Sequence, residues 1–137
     1  MLSYTRGIVM AEAPTLFRIF IPVSDLRAAV EFYQQLFDSP GREIRGGRHY
    51  FDCGPVIAAV VENSGMPIAD HIYFSVADLE AVYKRAFDLD CLEDSYVHGA
   101  SAGEIVTRPW GERSFYVRDP WGNGLCFVDE TTLFTGR

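Results

Sequence analysis

Two stretches of the sequence resemble each other but differ where a side chain could do chemistry. They are FRIFIPVSDLRAAVEFY, residues 17–33, and DHIYFSVADLEAVYKRA, residues 70–86. A shift of 70 − 17 = 53 residues superimposes them and places Arg18 on His71. An imidazole can act as a general base or bind a metal at neutral pH, whereas a guanidinium is a permanent cation suited to anions. One repeated unit therefore predicts two different chemistries at the same place.

Strand alternation adds further candidates to these two. Successive side chains of a strand point to opposite faces, and in each predicted strand the apolar residues define the face toward the core. The opposite face then carries Arg18, Phe20, His71, Tyr73, Ser114, Tyr116 and Cys126. A purely structural sheet more often shows simple surface charges there. We interpret this face as the lining of a polar, aromatic cavity for a small molecule.

The first half of the chain must position these residues through one strand, one helix and three further strands. The apolar run 16–23 predicts a strand, and Ser24-Asp25 predicts a helix start. Apolar residues then recur every three or four positions up to Phe37, which predicts a helix. Gly46-Gly47 predicts a two-residue hairpin, and PVIAAVVE, residues 55–62, predicts the last strand.

The second half repeats this order. Residues 71–76 predict a strand, Asp78 a helix cap, and the apolar spacing to Leu89 a helix. After a loop, EIVTRP, ERSFYVR and GLCFVDE predict three strands, with DPWGNG as a tight turn before the last. An internal repeat of this kind is more informative than any single motif.

These patterns divide the chain into a few segments. We expect a disordered or loosely ordered leader (1–14), a first module (15–62), a connector (63–69), a second module (70–130) and a tail (131–137). At 137 residues the two modules share one domain.

Composition limits the classes of partner. The net charge of −7, with no basic stripe, argues against a nucleic-acid partner. No apolar run has the length of a signal peptide or a membrane span, so no membrane partner is expected. The three cysteines lack CxxC spacing, which favours reduced thiols and a cytoplasmic protein.

The paired strand–Asp-Leu–helix entries, AAVEFYQQLF and above all GERSFYVRDPWGNGLCFV resemble the glyoxalase / bleomycin-resistance / extradiol-dioxygenase superfamily, also called vicinal oxygen chelate proteins. The resemblance covers about residues 16–129. It implies an α+β fold of two tandem βαβββ modules whose curved mixed sheet forms a cup. The superfamily contains isomerases, lyases, dioxygenases and drug-sequestering proteins, so the resemblance alone leaves the reaction open.

The resemblance also implies where a metal would bind. Family metalloenzymes place their ligands on the first and last strand of each module, which here gives Arg18, Ala58, His71 and Cys126. Of these, His71 is a usual ligand and Cys126 a further candidate. A cationic Arg18 would repel an ion, so we predict no metal and no other cofactor, with a divalent metal on His71 and Cys126 as the alternative.

Structural roles for the same residues stay open. Arg18 could pair with a carboxylate such as Glu62, His71 could be a hydrogen-bonded structural histidine, and Cys126 could be a small buried residue whose thiol pKa a nearby Arg18 would lower. His49 and His98 are assigned to turns or loops.

Three functions follow from these alternatives. The first is a metal-independent cup that binds a small anionic or aromatic ligand, as the drug-sequestering members of the family do.

 The second is a metal-dependent lyase, isomerase or dioxygenase. The third is a metal-free enzyme with His71 as general base, Tyr116 as a further catalytic candidate and Arg18 stabilising an oxyanion. For each we expect a homodimer, because open module edges and the cup rim are usually completed by a second copy in this family.

Overall fold

Two units of one strand, one helix and three strands make up the fold, as the repeat predicts. The structure, a computed structural model, describes residues 2–5, 8–11 and 13–136, with side chains from residue 13. In chain order the elements are β1 (Leu2–Thr5), β2 (Ile8–Ala11), β3 (Arg18–Val23), α1 (Leu26–Phe37), β4 (Arg42–Ile44), β5 (Arg48–Cys53), β6 (Val56–Glu62), β7 (Ile72–Val76), α2 (Leu79–Asp88), β8 (Tyr96–Val97), β9 (Ala100–Ser101), β10 (Val106–Thr107), β11 (Arg113–Arg118), β12 (Gly124–Asp129) and a 3-10 turn (Glu130–Thr132).

Each unit forms its own four-stranded mixed sheet. The strand orders are β3-β6-β5-β4 and β7-β12-β11-β10, and in both sheets the first strand of the unit runs parallel to its last. The helix starts match as well. Asp25 accepts a hydrogen bond from the Ala28 amide at 3.2 Å, and Asp78 accepts one from the Ala81 amide at 3.1 Å. The predicted α+β fold of two βαβββ modules is confirmed.

The hydrophobic core lies between the helices and one face of each sheet. Ala29, Tyr33 and Leu36 from α1 and Leu79 and Ala86 from α2 are buried in one continuous cluster. That cluster also contains the apolar strand residues assigned to the inner side by alternation: Ile21, Val23, Phe115, Val117, Leu125 and Phe127. Both sheets therefore turn their other faces away from the shared core.

The turn before β12 fastens the two modules together. Asp119 is buried and accepts a hydrogen bond from the Tyr33 hydroxyl at 2.5 Å. The fully buried Asn123 donates to the Pro22 carbonyl and to Asp119, both at 2.8 Å, and accepts from the Ala69 amide. Burial, and then the nearby Asp119 carboxylate, raises the pKa of Tyr33 well above its usual value. These contacts tie the DPWGNG turn to the first module.

Three local features differ from the sequence expectations. The leader, expected to lack regular order, contains the antiparallel pair β1–β2. The hairpin at Gly46-Gly47 has three loop residues instead of two, because Ile44 pairs with Arg48, although both glycines have positive φ as predicted. The unassigned loop after α2 contains the small hairpin β8–β9.

Among the described residues, no helix is long and apolar enough to cross a membrane.

Candidate functional site

Five of the predicted site residues lie together on the outward face of the second sheet. The register aligns Cys126 with both Tyr73 and Tyr116, and Ser114 with Val128, so these side chains share one face. The Tyr73 and Tyr116 hydroxyls are 2.9 Å apart, and the His71 ring lies 5.1 Å from the Tyr116 ring in an edge arrangement. We call His71, Tyr73, Ser114, Tyr116 and Cys126 the tyrosine face.

The glycine at the start of β12 makes room for His71. A Cβ atom on Gly124 would lie 2.6 Å from His71 Cδ2 and 2.8 Å from Asp70 Oδ1, which is closer than side-chain carbons approach. Asp70 Oδ1 is 3.4 Å from His71 Nδ1 and also accepts from Arg118 Nη1 at 3.3 Å. The imidazole therefore lies against the backbone of the neighbouring strand and beside a carboxylate.

A buried arginine that the sequence analysis missed supports the tyrosine face. Arg108 is 2% exposed and donates hydrogen bonds to the Ser114 hydroxyl and to four carbonyl oxygens, those of Ser101, Ala102, Glu104 and Ser114. Its guanidinium carbon lies 5.1 Å from the Tyr116 ring centroid. Its place directly before a Pro-Trp-Gly turn gave no sign of burial, because arginine is seldom fully buried.

Burial keeps Tyr116 and Cys126 neutral. The pKa of Tyr116 is raised well above its usual value, first by burial and then by the hydrogen bond with Tyr73. Burial also raises the pKa of the Cys126 thiol to about 11, although Arg108 acts in the opposite direction. At neutral pH Tyr116 thus keeps its hydroxyl proton, and the fully buried Cys126 is a protonated thiol, neither a thiolate nucleophile nor a thiolate metal ligand.

Arg18 and Phe20 lie on the outward face of the first sheet. The Arg18 guanidinium carbon is 4.9 Å from the Phe17 ring centroid, 5.7 Å from that of Phe20 and 5.8 Å from that of Tyr50. Its Nε is buried and has no hydrogen-bond partner among the described residues. Tyr50 was not predicted, although alternation along RHYFD would have placed it on this face.

The chain does not bring the two predicted subsets together. No hydrogen bond, ion pair or ring contact among the described side chains joins Arg18 or Phe20 to the tyrosine face; their aromatic and polar contacts lie within their own sheets. Alternation correctly identified an outward face of each sheet. It could not tell whether the two faces meet, because that depends on how the sheets pack.

The resemblance implies a ligand position at Ala58, and this position is wrong by one residue. The register pairs Phe20 with Ala59, as it pairs Tyr73 with Cys126. The first-module counterpart of Cys126 is therefore Ala59, whereas the side chain of Ala58 is in the helix-facing core. A shift of one residue along a strand moves the side chain to the opposite face.

Other expectations are corrected by the contacts. Glu62 accepts from the Leu26 amide at 3.0 Å at the start of α1 and makes no ion pair with Arg18. The cation beside Cys126 is Arg108, not Arg18, and the net shift of the thiol pKa is upward. His49 lies in β5 and not in a loop, and its Nε2 is 2.9 Å from the Pro40 carbonyl oxygen.

A cavity of about 580 Å³ lies between the β5–β6 hairpin and β7. Its walls include Phe37 of α1, and Phe51 and Phe74 from the helix-facing side of the sheets. Of the predicted site residues, Tyr73 borders it. None of the other predicted site residues lines this cavity.

The side chains do not fit the metal centre that the resemblance implies. Among the described residues, no three His, Cys, Asp or Glu side chains are grouped to hold one ion. The first-module positions are occupied by Arg18 and an alanine, and the protonated Cys126 thiol is a poor ligand.

Comparisons with known proteins support the fold and identify the family. The family model described as Glyoxalase/Bleomycin resistance protein/Dioxygenase superfamily matches residues 15–127. No curated protein sequence matches significantly.

Solved structures share the fold at low sequence identity. A lactoylglutathione lyase from Agrobacterium tumefaciens is 21% identical with a TM-score of 0.62, covering 87% of this chain and 96% of its own. A glyoxalase/bleomycin resistance protein from Albidiferax ferrireducens T118 is 17% identical with a TM-score of 0.66, covering 82% and 95%. The oxidase ChaP-H2 is 18% identical with a TM-score of 0.70, covering 86% and 94%. At these identities the likeness supports the fold alone.

Proposed function

The chain belongs to the glyoxalase/bleomycin resistance protein/dioxygenase superfamily, and we propose that it is a metal-independent member that binds a small anionic or aromatic molecule. The ligand lies on the outward sheet faces, against Arg18 and the accessible residues of the tyrosine face, Tyr73 and His71. Aromatic rings supply contact area for a flat body, and Arg18 supplies the charge for an anionic end.

The environment of Arg18 is the observation that carries this proposal. The guanidinium is half-buried among three aromatic rings, and its buried Nε has no partner among the described residues. A buried donor left unpaired costs about 1–3 kcal/mol. A carboxylate or another oxyanion placed on Arg18 would remove that cost and form a charge-assisted hydrogen bond.

Independence from metal rests on the donor set. His71 is the one usual family ligand among the implied positions, and the neutral Cys126 thiol would have to lose a proton to join it. Two such donors cannot offset the dehydration of a divalent ion. Elemental analysis of purified protein should find well under one equivalent of zinc, iron or nickel per chain; a full equivalent that His71→Ala removes would contradict the proposal.

We further propose a cytoplasmic homodimer. Both candidate faces point away from the shared core of the chain, so a second copy can place its tyrosine face opposite the Arg18 face of the first. Such an isologous pairing gives two equivalent sites. Three free cysteines, with Cys91 and Cys126 buried, suit a reducing compartment.

The test of the proposed function is a binding measurement with matched variants. Anionic aromatic metabolites and antibiotics are screened by thermal shift, and the best ligand is titrated calorimetrically. Arg18→Ala should weaken binding by about 1.5–3 kcal/mol, the range for a charged hydrogen bond, with the fold intact. Arg27→Ala, which removes the same charge from the exposed side of α1, should leave affinity unchanged. Equal affinity for wild type and Arg18→Ala would show that Arg18 is structural.

A metal-free enzyme is the second candidate, and the geometry of His71 favours it. The half-exposed imidazole packs edge-on against the Tyr116 ring, and the Tyr116 hydroxyl is 2.9 Å from that of Tyr73, so an imidazole and two phenol groups share one cluster. Two fold neighbours are described as a lyase and an oxidase. His71→Ala distinguishes the candidates: in a binding protein it weakens affinity less than Arg18→Ala does, whereas in an enzyme it abolishes turnover of a ligand that still binds.

A further inference from the structure

Three arginines surround one tyrosine on the outward face of the first sheet. The guanidinium carbons of Arg18, Arg42 and Arg48 lie 5.8, 5.8 and 5.9 Å from the Tyr50 ring centroid. We call these four residues the arginine–tyrosine cluster. They come from three strands of the sheet, β3, β4 and β5.

The small side chain of Ala59 lets this cluster form. Strand β6 separates β3 from β5, and the register places Ala59 opposite both Phe20 and Tyr50. Ala59 has no exposed surface. Because alanine does not rise above the sheet, the Arg18 side chain can reach across β6 toward the Tyr50 ring. A larger residue at position 59 would separate the two.

The cluster has more positive charge than its described partners neutralise. Arg42 pairs with Asp52 at 2.7 Å, and Arg48 donates to the Tyr50 hydroxyl at 3.2 Å. The ion pairs of the described residues include neither Arg18 nor Arg48. Three cations and one carboxylate leave a local charge of 3 − 1 = +2, in a chain whose net charge is −7.

We propose that the arginine–tyrosine cluster selects a doubly charged phosphate or phosphonate group over a single carboxylate. This inference rests on the proposed function, because Arg18 is the anion contact of both. Arg18 and Arg48 each retain unused guanidinium donors, and arginine binds the oxygens of a phosphate in a two-pronged manner. A dianion also matches the local charge of the cluster.

The aromatic rings beside the cluster indicate which chemical group the ligand carries next to its anionic end. Phe17 and Phe20 are 58% and 41% exposed and flank the Arg18 guanidinium. They offer apolar area next to the anion position. The ligand class is therefore a small phosphate monoester or phosphonate with a flat or apolar body.

The experiment compares phenyl phosphate with benzoate by calorimetry on the full chain. At about pH 8 phenyl phosphate is a dianion, since the second pKa of a phosphate ester is about 6, whereas benzoate carries one charge. We expect phenyl phosphate to bind at least about tenfold more tightly. Inorganic phosphate should compete with phenyl phosphate but bind more weakly, because it lacks the ring.

Variants of Arg48 and Asp52 test whether the positive charge of the arginine–tyrosine cluster selects the dianion. Arg48→Gln should weaken phenyl phosphate about tenfold and benzoate less than about twofold, and Arg48→Lys should lie between. Asp52→Asn should tighten the dianion phenyl phosphate by up to about sevenfold and benzoate by up to about threefold, the effects of removing one carboxylate charge at about 7 Å in a watery environment. Arg27→Ala is the control for net charge, and thermal unfolding confirms that each variant is folded.

The outcomes separate this inference from the proposed function. If both probes bind equally tightly and their binding depends on Arg18, the inference is overturned and the proposed function stands. The same conclusion follows if Arg48→Gln and Asp52→Asn do not change the affinity for phenyl phosphate. Binding of neither phenyl phosphate nor benzoate would overturn the inference on its own. Arg18→Ala without effect on any bound anion would overturn both.

Discussion

Burial, and not a neighbouring cation, decides the protonation of the buried cysteines. Arg108 and two hydrogen bonds lower the pKa of Cys126, yet loss of water outweighs them and the thiol pKa rises to about 11. For Cys91, burial and the Asp119 carboxylate act in the same direction and raise the pKa to about 12. Both thiols remain protonated at physiological pH, so neither is a ready nucleophile.

This protonation predicts that the protein loses stability in alkali. An unfolded cysteine releases its proton near 9.0, whereas folded Cys126 holds it to about 11 and Cys91 to about 12. Between these values the folded chain binds more protons, so raising the pH favours unfolding. The stabilising contribution is complete below pH 9.0 and falls by on the order of 2–4 kcal/mol as the pH approaches 11.

Urea unfolding at several pH values from about 8 to about 11 measures this effect. Cys126→Ala should flatten the decline. Cys53→Ala should change it less, because Cys53 is only half-buried and its pKa is raised less. An unfolding free energy that stays constant over this range would contradict the prediction.

At the level of elements, one arginine holds an irregular segment against a strand. Arg108 connects the carbonyls of Ser101, Ala102 and Glu104 to β11 through a single guanidinium. Ala102 also accepts a hydrogen bond from the Tyr116 amide at 2.8 Å. The segment before β10 therefore covers the Tyr116 and Cys126 part of the tyrosine face, because Arg108 satisfies the carbonyl groups of the segment, and it leaves Tyr73 exposed.

Replacing Arg108 tests that role. Arg108→Lys keeps the charge but cannot reach all five oxygen atoms from one ammonium group, so we expect a loss of about 2–4 kcal/mol in the free energy of unfolding. Hydrogen exchange should increase first in the segment 100–105. Arg27→Lys, an exposed change of the same kind, should cost less than about 0.5 kcal/mol. Equal stability of the two variants would show that the Arg108 contacts are dispensable.

For the whole molecule, the separation of the two faces leads to a prediction about assembly. We expect sedimentation at micromolar concentration to give about twice the chain mass of 15.4 kDa. The two faces of one chain lie apart, so a second copy is needed to place an Arg18 opposite a tyrosine face. A species of 15.4 kDa alone would contradict the dimer.

A mixing experiment shows whether a site uses both copies. Arg18→Ala and Tyr73→Ala chains, each weak in ligand binding alone, are unfolded together and refolded as mixed dimers. If each site combines Arg18 of one copy with Tyr73 of the other, every mixed dimer regains one unmodified site. If each site lies within one chain, mixing restores no affinity.

Local sequence patterns were sufficient for the two helices, for the strands of both modules and for the outward face of each sheet. The spacing of 53 residues, Asp25 and Asp78 at the helix starts, and the apolar alternation of residues 125 and 127 all correspond to contacts seen in the fold. Patterns of this kind are local because helix and strand periods depend on neighbouring residues. The same patterns correctly placed Arg18 and His71 on outward faces.

Tertiary packing decided what those faces meet. Arg108, Tyr50 and Ala59 became part of the candidate sites only through the pairing of strands distant in sequence, and the separation of Arg18 from His71 follows from both sheets packing on one core. The pKa of Cys126 likewise depends on how much water the packed chain excludes. The sequence alone determined which side of each strand carries the chemistry, and only the tertiary structure decided its neighbours, because contacts between distant segments and the loss of solvent around a side chain arise from packing and not from local periodicity.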